Sequence, residues 1–311
     1  MNTGYTHALY LLPFDHRQSY VSGMFGFQAP LTPSQRQQVA DSKQLIYEGF
    51  QQALAAGVAK ASAGLLVDEE FGAAVLRDAA SQGYITALSV EKSGCDEFEF
   101  EYGADFAAHI EAFDPTFAKV LVRYNPAADA TSNKRQLARL KQLSDYCHKS
   151  SRRFMFELLV PATADQMEKL GGDKDAYEVR MRPELMLQAL RDLQEAGIEP
   201  DVWKIEGLDR REDCCRIVDI ARRGGRDDVG CIVLGRGADE QKVTQWLTTA
   251  ATVPGFIGFA VGRTSFWDAV KGYYGKRATR EEAQNRIAAR YAKWAAIFSG
   301  QRRLAEIGGA S

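Results

Sequence analysis

The sequence predicts an α/β fold, a single (β/α)8 TIM barrel, on three observations. Eight short apolar runs recur along the chain, helical periodicity follows them, and polar residues gather at one end of the runs. The runs are ALYLLPFD, AGLLVDEE, YITALSVEK, FAKVLVRYN, RFMFELLVP, DVWKIEG, GCIVLGRG and GFIGFAVGRT. They are strand-length, and near-continuous Val, Ile, Leu and Phe suit parallel strands covered by helices. Such units filling roughly 260 residues have the size and rhythm of a barrel. A doubly wound open sheet is the competitor, but it favours fewer strands and a glycine-rich first turn, and no GxGxxG follows the first run.

Taken in order, the first run ends in FDHR, and LTPSQRQQVADSKQLIYEGFQQALAAG follows as a helix with Ser34 as its cap and Gly57 at its end. The second run ends in VDEE and the third in VEKSG. After the third comes CDEFEFEYGADF, acidic and aromatic, which suits a lid, an oligomer contact or an ordinary loop. The fourth and fifth runs end in VRYNP and ELLVP, and RPELMLQALRDLQEAG then forms a helix closing on Gly197. The sixth run, ending in KIEG, precedes DRREDCCRIVDIARRGGRDD, a solvated helix with its loop. The seventh and eighth end in GRG and GRT. A last helix is expected over about 280–298, followed by a short tail. Nothing in between reads as a linker, so residues 1–311 are expected to form one domain.

Bulk properties narrow the function. A net charge of −2 gives no basic field for nucleic acid. No apolar run reaches the length of about 18 residues needed to span a membrane, and the N-terminus lacks the basic start of a signal peptide. Five cysteines, at 95, 147, 214, 215 and 231, include no CxxC pair, which points to a reducing cytoplasm. His16 is the one histidine at a strand end, whereas His7, His109 and His148 read as surface residues. With no histidine pair, no zinc site is expected. Asp68, Glu69 and Glu157 offer oxygen ligands for Mg²⁺ as an alternative chemistry.

Side chains alternate along a strand. Lys204 therefore shares a face with Glu206, Lys119 with Arg123, Glu157 with Met155, and Asp15 with Arg17. A charge pressed against helices would cost several kcal/mol. Lys204, Glu206, Lys119, Arg123, Glu157 and Asp15 are thus expected inside the barrel mouth, with Trp203 and Ile205 facing the helices. An internal salt-bridge network that only fixes register is the plain alternative.

A lysine so placed is a candidate nucleophile. Burial and a second cation, Lys119 or Arg123, favour the free amine over the ammonium. The amine attacks a ketone to give a carbinolamine and then an iminium, an electron sink beside which a carbon–carbon bond breaks. Glu157 or Glu206, with Asp15, would relay protons. The paired Gly-Arg endings of the seventh and eighth runs add a phosphate cue, because glycine admits close backbone approach and arginine clamps an anion.

The motifs LLPFDHR, VEKSG, KVLVRYNP, FELLVP, DVWKIEGLDRRED, VLGRG and GFAVGRTSFWD together resemble a known family. It is the 5-dehydro-2-deoxyphosphogluconate (2-deoxy-5-keto-gluconate 6-phosphate) aldolase of myo-inositol catabolism. The likeness extends from about residue 5 to residue 298. More distantly the chain is similar to tagatose 1,6-bisphosphate and sulfofructose-phosphate aldolases, which are class I aldolase barrels. The resemblance implies a Schiff base at Lys204, with Glu157, Lys119 and Asp15 catalytic. It implies substrate binding by His16, Arg17, Glu91, Arg123, Glu206, Gly235, Arg236, Gly237, Gly262, Arg263 and Thr264. It implies a phosphorylated sugar-acid substrate, dihydroxyacetone phosphate and malonate semialdehyde as products, no cofactor, no metal and a homo-oligomer. Many relatives are fused to the matching sugar kinase, so a free-standing version is expected here. The chain departs from its relatives at Gly235-Arg236-Gly237, where they carry Ser-Gly-Gly, and in the GRTSFW spacing. An aldolase for another ketose phosphate and a non-catalytic sugar-phosphate sensor stay open as alternatives.

Overall fold

The structure, a computed structural model, describes residues 3–308. All eight apolar runs are strands. In chain order the elements are β1 (Leu9–Pro13), α1 (Gln18–Phe25), α2 (Pro33–Ala55), β2 (Ala63–Val67), α3 (Glu69–Ser81), β3 (Ile85–Ser89), α4 (Phe106–Phe113) and β4 (Phe117–Arg123). Next come α5 (Ala130–Lys149), β5 (Arg153–Leu159), α6 (Ala164–Lys169), α7 (Lys174–Ala176), α8 (Arg182–Glu195) and β6 (Val202–Glu206). The last are α9 (Arg211–Arg222), β7 (Gly230–Leu234), α10 (Glu240–Ala251), β8 (Phe256–Ala260), α11 (Arg263–Tyr274) and α12 (Arg280–Gly308). Each strand pairs in parallel with the next, and β8 returns to β1 with Leu9 opposite Gly258, closing a (β/α)8 barrel.

Inward side chains change character along each strand. In the lower part of the barrel, Leu9, Phe117, Met155, Val202 and Ile232 form an apolar plug that Leu66 joins from β2. One alternation further on, the same faces carry Lys119, Glu157 and Lys204. The outward faces pack on the helices: Trp203 meets Phe156 at 5.0 Å, and Ile205 is buried in the same layer. The plug seals the bottom, so water and ligand reach the charges only from the C-terminal ends of the strands.

Several local expectations shift. α2 begins at Pro33, capped by Thr32 rather than Ser34. Thr32 Oγ1 accepts from Gln35 N at 3.3 Å, and Gln35 Oε1 accepts from Thr32 N at 2.9 Å. That reciprocal box, with proline at the first helical position, satisfies more amides than Ser34 would. α12 runs to Gly308, beyond the expected end near 298. It lies across the seam of the barrel, where Tyr291 donates to Tyr10 O at 2.6 Å and Trp294 donates to Ser265 Oγ at 3.1 Å. A Cβ at Gly49 of α2 would stand 2.7 Å from Ile287, so glycine is what lets the two helices approach. α9 buries one face through Cys214, Ile217 and Ala221 rather than being solvated all round. The acidic aromatic segment after β3 folds back on its own strand: Lys92 N donates to Glu99 O at 2.8 Å, Glu101 N donates to Val90 O at 3.0 Å, and Phe98 is buried. No described helix is long and apolar enough to cross a membrane.

The seam supplies a stability test. A Cβ built on Gly258 would fall 1.7 Å from the Leu9 carbonyl oxygen, a backbone atom that cannot step aside. Gly258→Ala is expected to cost about 3 kcal/mol, read as a lower denaturant midpoint. Gly300→Ala, in α12 with open space around it, is expected to gain about 0.5–1 kcal/mol.

Candidate active site

The mouth is organised around one ammonium. Lys119 Nζ, fully buried, lies 2.7 Å from Asp15 Oδ2, 2.8 Å from Glu91 Oε1 and 2.9 Å from Glu157 Oε2. The same Glu157 oxygen is 2.9 Å from Lys204 Nζ. Register explains the meeting: Glu157 pairs across with Lys204 on one side and with Leu121, two residues beyond Lys119, on the other. Burying these charges singly would be costly, and mutual pairing offsets that cost. Burial opposes the Lys119 charge, but Asp15, Glu157 and Glu91 outweigh it and hold the ammonium well above its ordinary value. Burial likewise opposes ionisation of Glu157 and Asp15, yet Lys119 and Lys204 hold both carboxyls below the usual range. Glu91 goes the other way, raised by burial and by the Asp15 charge despite Lys119.

A cavity of 490 Å³ opens above this cluster. Asp15, His16, Arg17, Glu91, Arg123, Glu157, Lys204, Arg236, Gly237, Gly262 and Arg263 all line it. Lys119 lies beneath, behind its carboxylates. His16 keeps 29% of its side chain exposed, with Nδ1 4.0 Å from Asp15 Oδ1. The surrounding protein drives its imidazole down to about 4, with Arg263 and Lys204 opposing the pull of Asp15. His16 is therefore neutral at physiological pH.

The two Gly-Arg loops play different parts. Arg236, at φ 53°, is neutralised: its Nε lies 3.0 Å from Glu206 Oε1 and its Nη1 is 2.6 Å from Glu178 Oε2. Glu206 also accepts from Val160 N at 2.9 Å and has Arg182 at 3.9 Å. Glu206 was expected at the ligand beside Lys204. It does not line the cavity, because these partners turn it toward the loops after β5 and β7. Arg263 has no carboxylate partner among the described residues, and its Nη2 donates to Arg236 O at 2.9 Å. It opens α11, where Ser265 N donates to Gly262 O at 2.7 Å and the Arg263 and Thr264 amides are the ones without a helical acceptor, with the glycine cap Gly262 lying close to the Pro13 backbone. Gly237 gives room to the Arg263 guanidinium, which a Cβ there would approach to 2.8 Å. Gly235 and Thr264 do not face the cavity. Gly235 backs onto Val261, and Thr264 donates to Ala238 O at 2.6 Å, so both shape the loops.

Other expectations resolve by partner. Arg123 is exposed at the end of β4, where Nη1 donates to Cys95 O at 3.2 Å; it stands at the rim, because the strand has already left the barrel interior. Arg17 pairs with Glu101 and donates to the Glu91 carbonyl, bracing the loop after β3. The carboxylates considered for Mg²⁺ are not gathered. Asp68 pairs with Lys43 and caps α3 at Phe71 N, Glu69 holds His109 at 2.8 Å, and Glu157 holds the lysines. Among the described residues no group of three His, Cys, Asp or Glu is set to hold a metal. His109 is half-buried and stacked on Tyr102 rather than a free surface residue. Lys43 escaped the sequence reading. Fully buried on α2, it donates to His16 O at 3.1 Å and so fixes the loop that carries Asp15 and His16. The signal was present, since Lys43 falls on the helical stripe Val39, Ile46, Phe50, where a lysine must be paired.

Lys119→Met would leave Glu157 with Lys204 and take the lysine partner from buried Asp15 and Glu91, at an expected cost of about 3–5 kcal/mol. That loss should shrink on acidification, because protonation removes the repulsion. The wild type moves oppositely. Asp15 and Glu157 sit below their ordinary values of 3.8 and 4.5, so their contribution is full above those values and fades as pH falls through the folded ones. Denaturant unfolding of both proteins from neutral pH down to about pH 2 checks the two trends.

Comparison with known proteins bears on the fold. No curated protein matches the chain in sequence. The crystal structure of Cgl0159 from Corynebacterium glutamicum matches at TM-score 0.58 and 16% identity, covering 96% of this chain and 88% of that one. Fructose-bisphosphate aldolase from Plasmodium falciparum matches at TM-score 0.65 and 12% identity, covering 96% of this chain and 92% of that one. At such identities the likeness shows a shared barrel. The family described as an uncharacterized protein conserved in bacteria, DUF2090, matches residues 2–302. The chain belongs to that family.

Proposed function

We propose that this barrel is a class I aldolase that cleaves a ketose phosphate through an iminium on Lys204. The observation that carries the reading is a cavity-lining lysine with an ionised carboxylate, Glu157 Oε2, 2.9 Å from its Nζ. Glu157 is the group that accepts the Lys204 proton. The freed amine attacks the ketone carbon, and loss of water from the carbinolamine gives the iminium. The adjacent carbon–carbon bond then breaks, and its electrons pass into the iminium to give an enamine. Asp15, ionised beside His16, takes the proton of the substrate hydroxyl that becomes the aldehyde. Glu157 returns its proton to the enamine carbon, and water hydrolyses the product iminium. Lys119, locked as a cation, is unsuited to be the nucleophile and serves to keep Asp15 and Glu157 ionised.

The phosphate is assigned to Arg263 and the first two amides of α11, at Arg263 and Thr264, where no carboxylate is paired. Arg236 supports this end through its carbonyl rather than its guanidinium. The sequence resemblance supports 2-deoxy-5-keto-gluconate 6-phosphate as substrate, giving dihydroxyacetone phosphate and malonate semialdehyde. The barrel shared with the Plasmodium falciparum fructose-bisphosphate aldolase is compatible with that chemistry.

Borohydride added with dihydroxyacetone phosphate should attach a stable adduct to the peptide holding Lys204, and Lys204→Met should abolish it. An adduct on Lys119, or none, overturns the reading. Arg263→Ala should raise KM for the phosphorylated ketose on the order of 10²-fold, through loss of a charge-assisted contact, while trapping at high substrate persists. Activity should survive a chelator.

A further inference from the structure

The cluster holds three carboxyls against two ammoniums. With Asp15, Glu91 and Glu157 all ionised, the buried set carries one unbalanced negative charge. Glu91 differs from the other two in its second oxygen. Its Oε1 accepts from Lys119 at 2.8 Å, while its Oε2 is buried without a partner. Two residues upstream, and so on the same face, Ser89 Oγ is also buried and unpartnered. An unpaired oxygen on a buried carboxylate is costly, and protonation there relieves both the charge excess and part of that cost. Glu91 is only 8% exposed, and it lines the cavity. Its position is over-determined: Arg17 holds its carbonyl, and its backbone bridges Phe100. The charged groups around it are Asp15 and Arg17 from the loop after β1, Lys119 from β4, Glu157 from β5, Lys204 from β6 and Glu101 beyond Arg17.

We propose that Glu91 is the acid of the site, its carboxyl delivering the proton that turns the carbinolamine hydroxyl on Lys204 into water. This rests on the aldolase reading above. The steps balance without an outside reagent. Glu91 protonates the carbinolamine oxygen, the carbon–oxygen bond breaks, water leaves, and the nitrogen lone pair closes the iminium. The Glu91 carboxylate is reprotonated through Lys119, which hydrogen-bonds Asp15 at 2.7 Å and Glu91 at 2.8 Å. Once Asp15 has taken the substrate hydroxyl proton, Lys119 gives one proton to Glu91 and accepts one from Asp15. The raised carboxyl of Glu91 and the lowered one of Glu157 divide acid from base in the same site.

The test uses Glu91→Gln, which keeps an acceptor for Lys119 but cannot yield a proton. With dihydroxyacetone phosphate and borohydride, E91Q should form the Lys204 adduct about 10²-fold or more slowly than wild type, and should lose the fall in rate that wild type shows at high pH. Added formic acid should restore the rate in Glu91→Ala, which a merely structural role would not permit. Independently of turnover, the infrared difference between wild type and E91Q at neutral pH should contain the carbonyl stretch of a protonated carboxyl. Absence of that band, or an E91Q adduct formed at the wild-type rate with the wild-type pH profile, overturns the assignment. A wild type that shows the band but never traps overturns the aldolase reading instead.

Discussion

The ammonium of Lys119 is the constraint on which the rest of the mouth depends. It joins β4 to the ends of β1, β3 and β5, and through Glu157 to β6. A one-residue slip of β5 would swing Glu157 onto the helices, leave Lys204 without its carboxylate and take one of three carboxylates from Lys119. The network therefore fixes register and sets protonation states at the same time. Replacing such a buried set with apolar side chains is often neutral or stabilising. Its position above an apolar plug and below an open cavity fits a use in chemistry better than a use in stability alone.

The loops after β7 and β8 show how backbone strain is put to use. Arg236 holds a left-handed backbone conformation that costs a non-glycine residue about 1 kcal/mol or more. Glu206 and Glu178 anchor its guanidinium and offset that cost. The resulting turn presents the Arg236 carbonyl to Arg263. One arginine is thus neutralised so that the other can be aimed.

Much of this was legible in the sequence, and the reason is periodicity. The period of two within apolar runs placed Lys119, Glu157 and Lys204 on inward faces, and the strand count gave the barrel. What was not legible depends on contacts between distant segments. The direction of Glu206 is set by Arg182 and Arg236, both outside its strand. The length of α12 is set by its packing on α2 and the β1–β8 seam, which no local propensity reports. Arg123 follows the alternation, but the strand outruns the barrel before reaching it. Lys43 belongs to a helix, and only its reach to His16 O reveals its role.

The seam between β1 and β8 also bears on how the chain reaches this state. Leu9 pairs with Gly258, and the Tyr291 hydroxyl reaches Tyr10 O across 281 positions. During synthesis, at about 5–20 residues per second, β1 waits on the order of ten seconds or more for its last partner. For that interval the apolar LYLLP strand keeps one hydrogen-bonding edge open. Contacts so far apart in the chain form slowly, because loop closure must precede any gain from them. The nascent barrel is therefore most exposed to misassociation just before its final helices appear, and α12, laid across the seam, is the element that ends the exposure.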